Sequence, residues 1–195
     1  MVRAWQTTLL LAAMTSARTA DAEVVKVGDT KAPFATAMAT TLVGTGLRFN
    51  NPYRLATPLG TTAESVSRTA TYVDVGLGLT FGAPRGFQHG ATFRWSFSTE
   101  GVAERVIVPS YLLYRRWRDW AAYGRAGIPI VLAPTRTFGV EGSLAAVWFF
   151  RGGIGVVGEV VGSLVYGAGT REVEKPAYPV LSGQLGLLFA YEVMP

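Results

Sequence analysis

The sequence of 195 residues contains no cysteine and a single histidine, His89. The lack of cysteine excludes disulfides, thiolate metal sites and cysteine nucleophiles. With a single histidine, nearly all zinc sites and most catalytic triads are excluded. We therefore predict that the protein is not an enzyme and has no catalytic residue, no cofactor and no metal ion.

Charged residues and long apolar runs are also scarce. Only 16% of the residues are charged, and the net charge of +5 is spread along the chain without a block of lysine and arginine. No nucleic-acid partner is therefore expected. No run of 18 apolar residues occurs, which argues against a bundle of transmembrane helices. Yet 49% of the residues are hydrophobic and 23 are glycine, so a different arrangement must accommodate this apolar surface.

Residues 1–22 have the three parts of a secretory signal peptide. Arg3 supplies the positive charge, 9–14 is a short apolar stretch, and Ala20-Asp21-Ala22 is an A-x-A-like cleavage site. The alternative is a short amphipathic helix of the mature protein. Because no cysteine follows the apolar stretch, a lipid-anchored lipoprotein is excluded. We predict a signal peptide at 1–22 and a periplasmic N-terminal segment at 23–33.

Downstream of residue 33 the hydrophobic pattern has a period of two, which is typical of β-strands. In the last segment Leu185, Leu187 and Phe189 alternate with Gln184 and other small or polar residues. The same alternation along the rest of the chain predicts eight strands in all, at 34–49, 71–81, 87–98, 104–116, 120–132, 138–150, 154–166 and 180–193. We expect them to form one closed antiparallel meander in which the last strand pairs with the first.

The connections between these strands alternate in length. Short turns at 82–86, 117–119 and 151–153 are interleaved with longer links at 50–68, 99–103, 133–137 and 167–179. Both chain ends would then lie at the short-turn side. The links 50–68 and 167–179 have the polar composition of solvated loops, and we predict that they contact a protein partner.

The apolar face of each strand carries the large residues, while the opposite face carries glycine, serine and charged residues. An eight-stranded barrel has room inside only for packed side chains, so we expect the large residues to point outward, against lipid. Aromatic residues also fall into two groups, as membrane interfaces favour. The short-turn group is Phe81, Phe87, Tyr114, Trp117, Trp120, Trp148, Phe150 and Tyr191, and the long-loop group is Phe49, Tyr72, Phe97, Phe138 and Tyr166. A soluble lipocalin-like barrel is the alternative fold.

The last predicted strand contains the pattern Gln184-x-Gly186-x-x-Phe189-x-Tyr191. It is similar to the terminal signal that is read by the barrel-assembly machinery. With this motif, 34–195 resembles the small eight-stranded outer-membrane β-barrels of the OmpA/OmpX kind. The resemblance implies an all-β, single closed eight-stranded antiparallel up-and-down transmembrane β-barrel in the outer membrane of a Gram-negative cell, with outer-membrane lipid and the assembly machinery as partners. Many members end on an aromatic residue, whereas this chain continues through Glu192 to Pro195.

Strand parity directs eight charged side chains into the lumen: Arg48, Asp74, Arg94, Arg115, Arg125, Glu141, Glu159 and Glu192. Four cations and four anions would balance, as a dry interior requires. Hairpin register places Asp74 opposite Arg94 and Arg125 opposite Glu141, and Arg125 is also expected to serve Glu159. A structural network that fills the lumen is the favoured role, and a charged gate is the alternative.

Pro109 and Pro129 lie within predicted strands, where each removes a ladder N–H. Hairpin register places the two prolines opposite each other, so we predict a bulge or an early end of pairing there. For the whole chain, we predict a porin-like outer-membrane protein that acts as a structural or interaction component through its surface loops. A narrow channel for small solutes is the alternative function.

Overall fold

A computed structural model describes residues 34–49, 66–101, 103–134, 136–166 and 177–193. The predicted signal peptide, the segment 23–33 and most of the two predicted partner loops (50–65 and 167–176) lie outside the described residues. The described chain forms ten β-strands: β1 (Phe34–Arg48), β2 (Ser67–Arg68), β3 (Tyr72–Gly82), β4 (Gln88–Ser98), β5 (Arg105–Arg116), β6 (Trp120–Gly127), β7 (Ile130–Ala133), β8 (Thr137–Arg151), β9 (Ile154–Tyr166) and β10 (Ala177–Val193).

The strands form a closed antiparallel barrel with eight positions around the wall. Adjacent wall positions follow one another along the chain, and β10 returns to pair with β1 from Ala35↔Val193 to Arg48↔Val180. β2 extends the position of β3 beside β1, and β6 and β7 share one position between β5 and β8. The predicted all-β, closed eight-stranded antiparallel barrel and its closing pair of strands are confirmed.

The two faces of the barrel wall have opposite chemistry. The outer face exposes large apolar side chains, for example Leu77 at 65%, Leu144 at 75% and Leu185 at 67%. The inner face buries the alternating residues, among them Asp74 and Gln184. Because successive side chains of a strand point to opposite faces, the period of two was enough to predict the direction of most side chains. Within the described part of the chain, no helix is long and apolar enough to cross a membrane.

Two of the predicted aromatic assignments are wrong. Tyr114 is buried in the interior, and Tyr72 also lies on the inner face, where its hydroxyl accepts a hydrogen bond from the Gln184 amide at 3.1 Å. Both residues have the parity of the inner face of their strand. The predicted partner loops are also shorter than expected, because Ser67–Arg68 and residues 177–179 belong to strands β2 and β10.

The wall position formed by β6 and β7 is interrupted at Ile128 and Pro129. The Ile128 N–H donates to the Pro109 carbonyl at 3.1 Å, and the Gly139 N–H donates to the Pro129 carbonyl at 2.9 Å. Neither proline can return the second bond that such antiparallel pairs exchange. The predicted early end of pairing is thus confirmed, but Pro109 lies beside Ile128 rather than Pro129, and the bulge occurs farther along, between Arg105 and Val106.

Candidate functional site

The barrel interior has a hydrophobic part toward the short-turn end, the end with connections 83–87, 117–119 and 152–153. We call this part the apolar plug. Its largest fully buried members include Leu42, Tyr114 and Leu188. Six wall positions contribute to it, so it extends across the lumen: Met38, Leu42, Leu112, Tyr114, Ala121, Tyr123, Ala145, Val147, Phe149, Val157 and Leu188.

Next to the plug, on the side of the long loops, Arg94 bridges two carboxylates. Its Nη1 donates to Asp74 Oδ2 at 2.7 Å, and its Nη2 donates to Glu141 Oε1. Glu141 also accepts a hydrogen bond from the Ser163 hydroxyl at 3.3 Å. Asp74, Arg94 and Glu141, which we call the floor cluster, lie on three different strands and connect opposite parts of the wall.

A second buried ion pair lies beside the floor cluster. Arg125 Nη2 donates to Glu159 Oε1, and Arg125 Nε donates to the Ser143 hydroxyl at 3.2 Å. Tyr123 donates its hydroxyl to the other oxygen of Glu159 at 2.8 Å. Both oxygens of Glu159 therefore have a donor, which is what a buried carboxylate requires.

The predicted ion pairs are only partly correct. The Asp74–Arg94 salt bridge forms as predicted, but the predicted register is wrong by two residues. Asp74 lies opposite Ser96, and Arg125 lies opposite Ser143. Arg125 and Glu141 both point into the lumen, but the predicted salt bridge between them is wrong: Arg125 pairs with Glu159, and Glu141 pairs with Arg94. The reason is length: an arginine side chain reaches across the lumen to a strand that is not its hairpin neighbour, and hairpin register does not describe that geometry.

Arg115 does not join the lumen network, so this prediction is wrong. Its guanidinium lies 5.0 Å from the ring centre of Phe87 and 5.2 Å from that of Trp117, and both rings are exposed. The neighbouring Arg116 takes the inner position and pairs with Glu192 at 2.8 Å. In β5 both faces carry large residues, so its period of two was too weak to choose between two adjacent arginines.

Arg48 lies at the long-loop end, away from the other predicted charges. Its Nη2 is 3.5 Å from Glu104 Oε2, and its guanidinium is 5.1 Å from the ring centre of Tyr178. Glu104 was not among the predicted lumen residues, because the parity that directs Arg115 inward in the predicted strand 104–116 directs Glu104 outward. In the structure the even-numbered residues of β5, such as Val108 and Leu112, face inward.

A cavity of about 110 Å³ lies between the floor cluster and the long-loop end. We call it the long-loop cavity. Its base includes Asp74, Arg94 and Glu141, and Arg48 with Glu104 lie near its upper edge. Its wall includes valines of several strands: Val106, Val108, Val131, Val161, Val165 and Val180.

Several residues that line this cavity carry buried polar atoms without a hydrogen-bond partner in the described structure. They are Nε of Arg48, Oδ1 of Asp74, Nε of Arg94 and Oε1 of Gln184. Buried polar atoms are normally paired, and each exception needs a reason. Among the described residues, four of the six such atoms line this cavity, and the other two are the Tyr114 hydroxyl and Nε of Arg115.

Gly44 explains how two of the polar cavity residues meet. It lies on β1 between Tyr72 of β3 and Gln184 of β10 in the register of the sheet. A Cβ at this glycine would lie 2.7 Å from the Tyr72 ring and 2.8 Å from Gln184 Cγ. The missing side chain leaves the space in which Tyr72 and Gln184 make their hydrogen bond across β1.

The four residues of the predicted assembly signal fall on both faces of β10. Gln184 is buried inside, whereas Phe189 and Tyr191 are exposed outside. Gly186 lies opposite Leu42 at the closing seam, where a Cβ would come within 2.0 Å of the Thr41 carbonyl oxygen. These residues therefore have structural roles in the closed barrel, and recognition by an assembly machinery stays a prediction.

His89 lies on the exposed outer face, next to the Tyr111 hydroxyl. Its ring is 6.1 Å from the Tyr111 ring. Among the residues that the structure describes, no group of three or more His, Asp or Glu side chains is arranged to hold a metal ion.

No protein-family model matches this chain, and a search of curated proteins found no relative. Among solved structures, the chain is similar to the outer membrane protein OprG from Pseudomonas aeruginosa. That match has 10% identity and a TM-score of 0.37, and it covers 82% of this chain and 96% of the other. A likeness at this level concerns the fold alone. Closer kinship with the OmpA/OmpX group stays a prediction.

Proposed function

We propose that this protein is an integral outer-membrane β-barrel that acts as a structural or interaction component through its long-loop end, and that its lumen conducts no solute. The observation that carries the proposal is the contrast between the two faces of the wall. An apolar outer face surrounds an interior that is filled with an apolar plug and buried ion pairs.

The outer face supports the membrane location. A barrel in water buries its apolar side chains and exposes polar ones, whereas transmembrane barrels show the reverse alternation. Exposed aromatic rings cluster near the short turns, for example Trp120 and Trp148, whose ring centres are 6.5 Å apart. Such rings are favoured where the hydrocarbon layer meets water.

The interior supports a closed lumen. The plug occupies the short-turn half, and the ion pairs of Arg94 and Arg125 connect five different strands above it. Opening a conduit would require displacing packed side chains and separating buried ion pairs, and leaving a buried charge unpaired costs about 3–5 kcal/mol. The narrow-channel alternative is therefore disfavoured.

The membrane role can be tested with the full chain refolded in lipid vesicles. We expect it to resist extraction by aqueous buffer and to migrate differently on a gel before and after boiling. Extraction by buffer alone would support the soluble lipocalin-like alternative and overturn the proposal. In planar bilayers we expect no single-channel conductance, and discrete conductance steps would contradict the closed lumen.

Partner contact and export are part of the same proposal. The residues between β1 and β2 and between β9 and β10 are the candidates for a protein partner, and crosslinking from cysteines introduced there would identify it. Residues 1–22 would direct export, so the mature protein should begin at Glu23. N-terminal sequencing of the membrane-inserted protein checks this, and an intact leader on that protein would contradict it.

A further inference from the structure

The long-loop cavity carries an excess of negative charge at its base. We propose that it binds a small monovalent organic cation, an alkylammonium whose charged head contacts Asp74 and Gln184 and whose alkyl part packs on the valine wall. Binding of this kind depends on the barrel interior and not on the membrane role proposed above.

The excess charge is located in the floor cluster. Arg94 is shared between Asp74 and Glu141, so one cation faces two carboxylates. The neighbouring pair, Arg125 with Glu159, is balanced, and so is Arg48 with Glu104. With both carboxylates ionised, the floor cluster has one more negative than positive charge, and its residues are among the most buried charged residues that the structure describes.

Two unpartnered acceptors lie in the same region. Asp74 is fully buried, and its Oδ1 has no donor, although its Oδ2 is bound by Arg94. Gln184 is also buried; its amide nitrogen donates to Tyr72, and its Oε1 has no donor. An ammonium group has three N–H donors and no acceptor, so it supplies what these two oxygens lack.

The arginines that line the cavity do not make it an anion site. The Nε of Arg48 and the Nε of Arg94 lack an acceptor, but the charge of Arg94 already faces two carboxylates and that of Arg48 faces Glu104. An anion would add a second negative charge to the uncompensated one. An alkylammonium instead restores neutrality, and its charged hydrogen bonds are of the stronger kind.

The wall and the volume of the cavity indicate the nature of the part of the ligand that is attached to the ammonium group. The six valines offer an apolar surface, which favours an alkyl chain over a hydrated metal ion. With about 10–15 Å³ needed for one water-sized probe, the 110 Å³ available suits a molecule of only a few heavy atoms. A butylammonium ion has this size.

The test uses the full chain, folded in detergent and checked by its gel shift on boiling, with n-butylammonium chloride titrated in by calorimetry at neutral pH. Empty micelles are the blank. We expect saturable 1:1 binding to the folded chain, and little binding of 1-butanol or butyrate, which lack the positive charge. Equal binding of 1-butanol, or no saturable heat, would overturn the proposal.

Two variants, Asp74→Asn and Val180→Phe, test separately whether binding depends on the negative charge and on the free volume of the cavity. Asp74→Asn removes the excess charge with little change of shape, and we expect it to weaken butylammonium binding about tenfold, since a charged hydrogen bond contributes on that scale. Glu192→Gln, at the far end of the lumen, is the matched control and should leave binding unchanged.

Val180→Phe fills the cavity from its wall without altering any charge, so the test does not depend on the folding of the Asp74 variant. We expect it to abolish butylammonium binding while the gel shift is retained. Unchanged affinity in Val180→Phe would place the ligand elsewhere, and unchanged affinity in a folded Asp74→Asn protein would show that binding does not depend on the charge of Asp74; either result would overturn the proposal.

Discussion

The two halves of the barrel interior differ in how they are filled. Toward the short turns, Leu188, Tyr114 and their neighbours pack into the apolar plug. Toward the long loops, the side chains of Asp74, Arg94 and Gln184 line a cavity and leave polar atoms without partners.

Because of this difference, we expect the short-turn half to contribute most of the stability and the long-loop half to contribute any specificity for a ligand. Close-packed apolar side chains stabilise a structure but offer no group that recognises a ligand. Buried charges around a cavity add little net stability, since desolvation offsets much of their attraction. The short-turn half therefore holds the barrel together, and the long-loop half is free to carry a function.

The largest effect is expected from Arg94→Met. This change leaves Asp74 and Glu141 facing each other without their shared cation, and breaking a buried pair in this way costs about 3–5 kcal/mol. Reversible urea unfolding from lipid vesicles measures the loss. The control is Arg68→Met, which removes an exposed pair with Glu100 and should cost much less, because solvent screens exposed pairs. Similar losses in both variants would mean that the charge layer is hydrated rather than buried.

The plug and the cavity wall should respond differently to the loss of an apolar side chain. Leu188 is fully buried, so Leu188→Ala should lower the free energy of unfolding by about 2–5 kcal/mol. Val180 already borders the cavity, and Val180→Ala should cost about 1 kcal/mol or less. The same unfolding assay compares them. Equal losses would show that the two halves are packed alike.

A smaller effect is expected where β6 and β7 are interrupted. Pro109→Ala supplies an N–H that can donate to the Ile128 carbonyl, and this hydrogen bond should stabilise the folded state by about 0.5–1.5 kcal/mol. The loss of the proline also gives the unfolded chain more freedom, which offsets about 0.4–1 kcal/mol of that gain. The clearer readout is slower hydrogen exchange at residues 127–130. Pro84→Ala, in the β3–β4 turn, is the control. Exchange that stays as fast as in the parent would mean that the proline does not cause the interruption.

The smallest effect concerns Glu100, which ties the 99–101 connection to the chain before β3. One of its oxygens accepts from the Thr71 hydroxyl at 2.7 Å, from the Thr71 N–H at 2.9 Å and from Arg68 at 2.8 Å, and these bonds lower the pKa of Glu100 below its ordinary value. The stabilisation from ionised Glu100 is therefore fully present above the ordinary glutamate pKa of about 4.3. It is lost as the pH falls through the lower pKa of Glu100 in the folded protein.

Hydrogen exchange at the Thr71 amide checks this sign. Protection should decrease on acidification in the parent and should depend little on pH in Glu100→Gln. Protection that increases as the pH falls would contradict the assignment.

The wall of the barrel could be predicted from the sequence, whereas the pairing of its internal charges could not. In β9 and β10 the side chains that face the lumen alternate with exposed ones, so periodicity predicted their directions and the bounds of β9, whereas β10 begins three residues before the predicted start. Arg94 pairs with Glu141 across the lumen, a contact set by the curvature of the closed barrel. The sequence does not distinguish Gly44 from other glycines of the strands. Only the structure shows that Tyr72 and Gln184 occupy the space where its side chain would be.

The pairing of β1 with β10 has a consequence for the order of folding. Ala35 and Val193 are partners, so the first and last strands cannot join until nearly the whole polypeptide has been synthesised. Until then both strands present an open edge of unpaired N–H and C=O groups, which attracts other chains and is not tolerated in hydrocarbon. Because contacts between distant residues form slowly, the unclosed chain needs protection until its last strand pairs with its first.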